Sequence, residues 1–171
     1  VQTCALPISG IMIDTNNFLT KTGVRTFEAA AFLRRCGADV TRVRKMFREH
    51  VEDYRAKGEA IRNAELFREH FAISVCPSEG LDSPTVVGAQ AANELLNIIG
   101  VKASFVLTDY RNTIYISARS IDEINVQIVM ERLGGGGHLN IAGAQLEHYS
   151  ITEAKDVLKQ TLQKMLDEGD I

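Results

Sequence analysis

ISARSIDEINVQIVMERLGGGGHLNIAGAQ, residues 116–145, runs from the end of a strand through a short helix and four consecutive glycines into a second strand. Along Thr113–Arg119 the apolar Ile114, Ile116 and Ala118 alternate with Tyr115, Ser117 and Arg119, the period-two pattern of a strand with one face buried. A helix is predicted at about Asn125–Leu133, and a short strand near Gln145–Glu147. Upstream, Ala103–Thr108 pairs with Thr113–Arg119 as a hairpin turning at Asp109–Asn112. Further upstream, Phe71, Ile73 and Val75 alternate as a strand. Ser83-Pro84 then opens a helix with proline at its first position, where the missing N–H costs nothing. That helix carries Val87, Ala91, Leu95 and Ile98 on one face and stops at Gly100. Downstream, Ser150-Ile151-Thr152-Glu153 is a capping box, and Ala154, Val157, Leu158, Thr161, Leu162 and Met165 form the core face of a last helix. Strands and helices interleaved over one sheet make the fold class α/β.

The N-terminal third reads differently. Val1–Ser9 shows no clear period and is predicted to be a non-native leader. Gly10–Ile13 is a short apolar run ending in the polar turn Asp14–Asn17. Thr26 caps a helix to about Arg35, and Gly37 ends it. Asp39 caps the next, where Val40, Val43, Phe47, Val51, Tyr54 and Ile61 follow helical spacing. Residues 39–65 are therefore predicted as one connecting helix, weakened at Gly58 by about 1 kcal/mol relative to alanine.

Composition narrows the function. The chain has 171 residues, 45% of them hydrophobic, so it can bury a core. A net charge of −3 is too mild for a duplex-DNA binder, which needs a basic face to displace counterions. Cys4, Cys36 and Cys76 are odd in number and widely spaced, which argues for reduced thiols in the cytoplasm. No apolar run approaches the roughly 18–20 residues of a membrane span, so no membrane contact is expected of this chain.

Four features could carry chemistry. Gly134–Gly137 with His138 is the strongest. A helix C-cap needs one glycine, and four form a loop whose bare N–H groups can close on phosphate, with His138 as a further donor. Arg119 stands at a strand end, where ligand sites of α/β folds gather, and its planar fork of donors suits phosphate; the plain alternative is an exposed charge. Ser120 has a stronger plain reading, because Ser120-Ile121-Asp122-Glu123 is itself a capping box. Asp14, after an apolar run, suits a hard divalent cation, although an Asx-turn or cap explains it equally well in isolation. His50, His70 and His148 sit at no metal-ligand spacing.

Together these segments resemble the DHH phosphoesterase superfamily. Gly10–Thr15 with Asn17-Phe18 is similar to the last metal-ligand motif of the DHH domain, and Thr22–Leu33 continues the match. Ile116–Gln145 resembles the DHH-associated substrate domain. RTFEAAAFLRR and INVQIVMERL point to the cyclic-di-AMP-cleaving GdpP type, whereas the glycine–histidine motif is shared superfamily-wide. The resemblance implies the following layout: residues 10–38 as the remnant of a DHH catalytic domain, 39–65 as the connecting helix, and 66–171 as a mixed-sheet substrate-binding domain with flanking helices.

The activity it implies is a two-manganese hydrolase opening cyclic di-AMP to 5′-pApA. Asp14 would be one Mn²⁺ ligand. Arg119 and Ser120 would bind phosphate, Gly134, Gly135, Gly136, Gly137 and His138 would close over the substrate, and Asn125 would help shape the pocket. The implied partners are a cyclic dinucleotide or short oligonucleotide and an upstream DHH domain; apolar surface on the remnant would leave a homodimer open. The parent would be membrane-anchored with this part facing the cytoplasm. A nanoRNA or pAp phosphatase of the same superfamily, and a non-catalytic nucleotide-binding module, are the competing readings. No Asp-His-His occurs in the chain, and one carboxylate cannot hold two dications about 4 Å apart. The chain alone is therefore expected to show no phosphodiesterase activity; release of pApA from cyclic di-AMP by the purified chain with Mn²⁺ would refute this.

Overall fold

The computed structural model describes residues 2–171; Val1, the first residue of the expected leader, and the side chain of Cys4 lie outside the described residues. The chain divides into two compact units, at Glu49 and His50.

The first unit is helical: α1 (Gln2–Asp14), α2 (Val24–Arg35) and α3 (Val40–Met46). Residues 2–9, which show no period in the sequence, run without a break into Gly10–Asp14 as one helix, with Pro7 inside it. Ala5 and Ile8 of this helix join Ala38 and Val43 in a small core, so the segment packs as part of the unit. Helix α2 starts ahead of Thr26, whose hydroxyl sits in the first turn and accepts the Gly23 N–H at 3.2 Å. Asp39 caps α3 as expected, accepting the Thr41 N–H at 2.9 Å and the Arg42 N–H at 3.4 Å. No residue of α2 is buried, and Leu6, Ile13, Leu19, Phe27 and Phe32 are all exposed.

The single helix expected over 39–65 is two helices, α3 and α4 (Val51–Arg62), parted at Phe47–His50. Most of the stripe that suggested continuity is not buried: Val43 enters the first unit's core, but Val40, Phe47, Val51 and Tyr54 are exposed, and α4 instead buries Ala56 and Ala60. Glu52 and Asp53 mark its first turn, where the helix dipole favours carboxylates. Gly58 lies inside α4 without interrupting it.

The second unit, His50–Ile171, is a mixed six-stranded sheet in the order β1-β2-β3-β4-β6-β5. The strands are β1 (Glu65–Phe67), β2 (Phe71–Cys76), β3 (Ala103–Tyr110), β4 (Thr113–Ser120), β5 (Gly136–His138) and β6 (Ile141–Glu147). Only β2 and β3 pair in parallel, across α5 (Pro84–Leu95), as parallel neighbours need a crossover. That helix stops at Leu95 rather than Gly100. The hairpin is tighter than the sequence suggested. Strand pairing reaches Tyr110 and Thr113, leaving Arg111 and Asn112 at φ of 53° and 60°, the left-handed pair of a two-residue turn matching strand twist. After α6 (Val126–Arg132), α7 (Ile151–Glu168) begins at the expected capping box: Glu153 accepts the Ser150 N–H at 2.8 Å. Ser150 Oγ in turn accepts the Glu153 N–H at 3.3 Å.

One sheet face carries the main core, where Phe71, Phe105, Ile114, Ile116 and Ala144 meet Val129 and Met130 of α6 and Leu158 and Leu162 of α7. The other face packs Ala72, Cys76 and Val106 against Ala60 of α4 and Val87, Ala91 and Leu95 of α5. Two buried serines tie the sheet to these helices. Ser74 Oγ donates to the Ala60 carbonyl at 2.5 Å and Ser104 Oγ to the Ala92 carbonyl at 2.6 Å. Both carbonyls lie in a last helical turn, where no intrahelical donor reaches them. Among the described residues no helix is long and apolar enough to cross a membrane.

Ser74→Ala is expected to strand a buried carbonyl and to cost about 1–3 kcal/mol. A urea unfolding midpoint unchanged from wild type would rule out the tie.

Candidate phosphate-binding site

Helices α4 and α5 cover β2 and β3 on the second face, while β4, β6 and β5 leave part of that face open to a cleft. Antiparallel register sets which side chains share it. Arg119 lies opposite Ile141, which lies opposite His138, so these three form one row across β4, β6 and β5. The next row is Ser117, Gly143 and Gly136, and the one beyond is Tyr115 with Gln145. The middle row therefore has two positions without side chains and forms a trough. A cleft of about 580 Å³ opens over it, lined by Tyr115, Ser117, Gly134, Gly136, Gln145 and, from the first turn of α5, Thr85. That volume lies within the range of small-molecule sites.

The four glycines do not play one role. Gly134 ends α6 with φ of +77°, the left-handed conformation typical just past a helix. A Cβ on Gly135 would meet the Gly143 carbonyl oxygen at 2.2 Å and Ala144 Cα at 2.6 Å. At Gly137, with φ of +150°, a Cβ would meet Ala142 Cα at 2.5 Å. Gly136 alone has open space at its Cβ position and no positive φ. Three glycines are thus demanded by the backbone, and Gly136 is free of any such demand while lying on the trough floor.

Arg119 provides the charge. Its Nη1 donates to the Ala118 carbonyl at 2.8 Å, while its Nε is buried with no hydrogen-bond partner. No carboxylate pairs with it among the described residues, and burial pulls its guanidinium below the usual arginine range. A buried donor left unmatched is costly, so an anion entering this row would satisfy a standing deficit. His138 is exposed, its Nδ1 at 2.9 Å from the Gly137 carbonyl oxygen, which leaves Nε2 facing solvent.

Two expected site residues are held elsewhere. Ser120 is buried on the opposite face of β4 from Arg119, and its hydroxyl donates to the Ile124 carbonyl at 2.6 Å. It does not cap α6 either, because the strand continues through it; the cap is Asn125, whose Oδ1 accepts the Gln127 N–H at 3.1 Å. Asn125 thus holds the helix that delivers the glycines and does not line the cleft. Asp14 is the last residue of α1 and is exposed. Among the described residues no group of three or more His, Cys, Asp and Glu side chains could hold a metal ion. A two-ion centre therefore does not fit the donors of the described residues. Sequence reading missed Thr85, Gly143 and Gln145. Strand alternation already put Tyr115 and Ser117 on the face of Arg119, but only the β4–β6 register could add Gly143 and Gln145.

The DHHA1 domain profile matches residues 70–165. The chain is 42% identical over 152 residues to the cyclic-di-AMP phosphodiesterase PdeA of Listeria monocytogenes, covering 88% of this chain and 23% of that one. It is 41% identical over 164 residues to the cyclic-di-AMP phosphodiesterase GdpP of Bacillus subtilis, covering 95% of this chain and 25% of the relative. An exopolyphosphatase-related protein from Bacteroides fragilis shares the fold, with a TM-score of 0.80 and 23% identity over 91% of this chain and 48% of that one. The trough and the glycine run thus lie within the DHHA1 match, a domain of the DHH superfamily. This chain belongs to the DHHA1 family, and it spans about a quarter of the length of the curated relatives it matches.

Gly135→Ala is expected to destabilise the chain by about 1–3 kcal/mol through overpacking against β6, whereas Gly136→Ala stays within about 1 kcal/mol of wild type. Equal losses of thermal stability in the two variants would show that the glycines are not divided in this way.

Proposed function

We propose that this chain is the substrate-binding part of a two-metal phosphodiesterase that hydrolyses cyclic di-AMP to 5′-pApA. The observation that carries the proposal is the buried, unpartnered Nε of Arg119 in a row with His138, beside a glycine-floored trough. DHHA1 membership and the names of the curated relatives supply the substrate class. A guanidinium held with a donor unmatched offers a phosphate a charge-assisted hydrogen bond without prior loss of a partner. His138 presents its other ring nitrogen as a second polar contact, and the open Cα positions of Gly136 and Gly143 let a phosphate or sugar approach the backbone.

The paired Mn²⁺ ions of this reading would activate a water and neutralise charge on the phosphodiester. Asp14 would supply one carboxylate to that centre, and the remaining ligands would have to come from residues outside those described. Residues 10–38 are accordingly read as the end of a DHH domain and 66–171 as the substrate domain. The whole protein is read as membrane-anchored, with this part facing the cytoplasm. Ser120 acts in this scheme by fixing the β4–α6 connection through Ile124, and Asn125 by capping α6.

In the whole protein, Arg119→Ala is expected to lose about 1.5–3 kcal/mol of phosphate interaction, the usual worth of a hydrogen bond to a charged group. The measurement is kcat/KM for cyclic di-AMP with Mn²⁺. Unchanged kcat and KM would remove Arg119 from the site and with it the basis of this reading.

A further inference from the structure

The row of Arg119, Ile141 and His138 lies beside one end of the trough, outside the residues that line the cleft, and the other end is built differently. Tyr115 and Gln145 are directly opposite one another on β4 and β6, and both line the cleft. They stand four residues along the strands from Arg119 and Ile141, which at about 3.3 Å per residue is roughly 13 Å. That is the scale of one nucleotide from its phosphate to the far side of its base. The Tyr115 ring does not stand alone. Tyr110 packs against it with ring centroids 6.5 Å apart, and the Arg111 guanidinium lies 4.9 Å from the Tyr110 centroid. The two rings are tilted at 51° to one another, and Tyr115 itself lines the cleft as an aromatic surface. The Gln145 side chain is exposed and has no hydrogen-bond partner among the described residues. Its amide presents one donor and one acceptor side by side, the pair that matches N7 and the 6-amino group of adenine. Guanine offers two acceptors on that edge, so one of its contacts with the amide would be acceptor on acceptor. Between the two ends the floor is Ser117, Gly143 and Gly136, a row whose one side chain is the short serine hydroxymethyl.

We infer that Tyr115 and Gln145 form the base-recognising end of this site, with Tyr115 stacking on a purine and Gln145 favouring adenine over guanine. The inference rests on the proposed nucleotide-binding function and adds the residues that set its base preference.

The experiment titrates the 171-residue chain with 5′-AMP, 5′-GMP and inorganic phosphate, following backbone amide shifts. Wild type is expected to bind AMP more tightly than GMP, and GMP more tightly than phosphate. Gln145→Leu should reduce the AMP-to-GMP preference by roughly tenfold, within the discrimination a bidentate base contact provides, with phosphate binding unchanged. Tyr115→Ala should weaken both nucleotides by roughly tenfold, as loss of one stacking partner does, and Tyr115→Phe should restore them. If Arg119→Ala abolishes binding of all three ligands while the Gln145 and Tyr115 variants keep the wild-type preference and affinity, base recognition lies elsewhere and the phosphate reading stands. If wild type binds none of the three, both the phosphate site and the base-recognising end are overturned.

Discussion

Everything in the open half of the sheet depends on one steric constraint: strand β5 must lie so close to β6 that neither Gly135 nor Gly137 has room for a Cβ. The contacts a methyl group would make there are with backbone atoms of Ile141–Ala144, which cannot rotate out of the way as a side chain end would. This approach sets the β5–β6 register, and the register sets the rest. It brings His138 opposite Ile141 and so into the row of Arg119, and it lays Gly136 against Gly143. A one-residue slip of β5 would turn His138 to the core and bring Gly137 to the open face in its place. The glycine run thus acts first as a spacing device for the sheet. Its capacity to meet an anion follows from the one glycine that packing leaves free.

The electrostatics follow from the same placement. Arg119 emerges from β4 between two neighbouring strands, which strips water from its Nε without supplying an acceptor. Several surface cations of the second unit are ion-paired: Lys155 and Lys159 share Glu65, and Arg132 pairs with Glu168 and Asp170. Those pairs lie at the surface and contribute little each. The contrast marks Arg119 as a charge the fold leaves unanswered, which is the arrangement expected of a group whose partner arrives from solution.

Much of the fold was legible because the sequence patterns coincide with burial. Strand β4 alternates in sequence and in exposure alike, and α7 shows its apolar stripe and its cap. The failures each have a physical cause. The Ser-x-x-Glu pattern occurs at Ser120 and at Ser150, yet only Ser150 caps a helix. At Ser120 the chain is still extended and paired with Ala103, and the hydroxyl is taken by the Ile124 carbonyl. Strand β5 was invisible because glycine has no strand preference and the segment owes its conformation to β6. The long connecting helix failed because a stripe of apolar residues predicts a helix face only if something covers it. The site was half legible. Arg119 and the glycine–histidine run could be picked out one by one, but their common face, and the inclusion of Tyr115 and Gln145, belong to register and therefore to the folded sheet.

Both margins of the sheet are short. The outer strands β1 and β5 have three residues each, while the four strands between them have six to eight. An unpaired strand border is a template for recruiting another chain, and brevity is one way that border is blunted. The three-residue rim strands therefore offer little backbone of their own to a passing strand. They cover only part of their neighbours, so, among the described residues, positions 74–76 of β2 and 144–147 of β6 have no strand on their outer side. A strand seeking purchase on this sheet is thus limited to two short notches, each set beside a rim too brief to extend it.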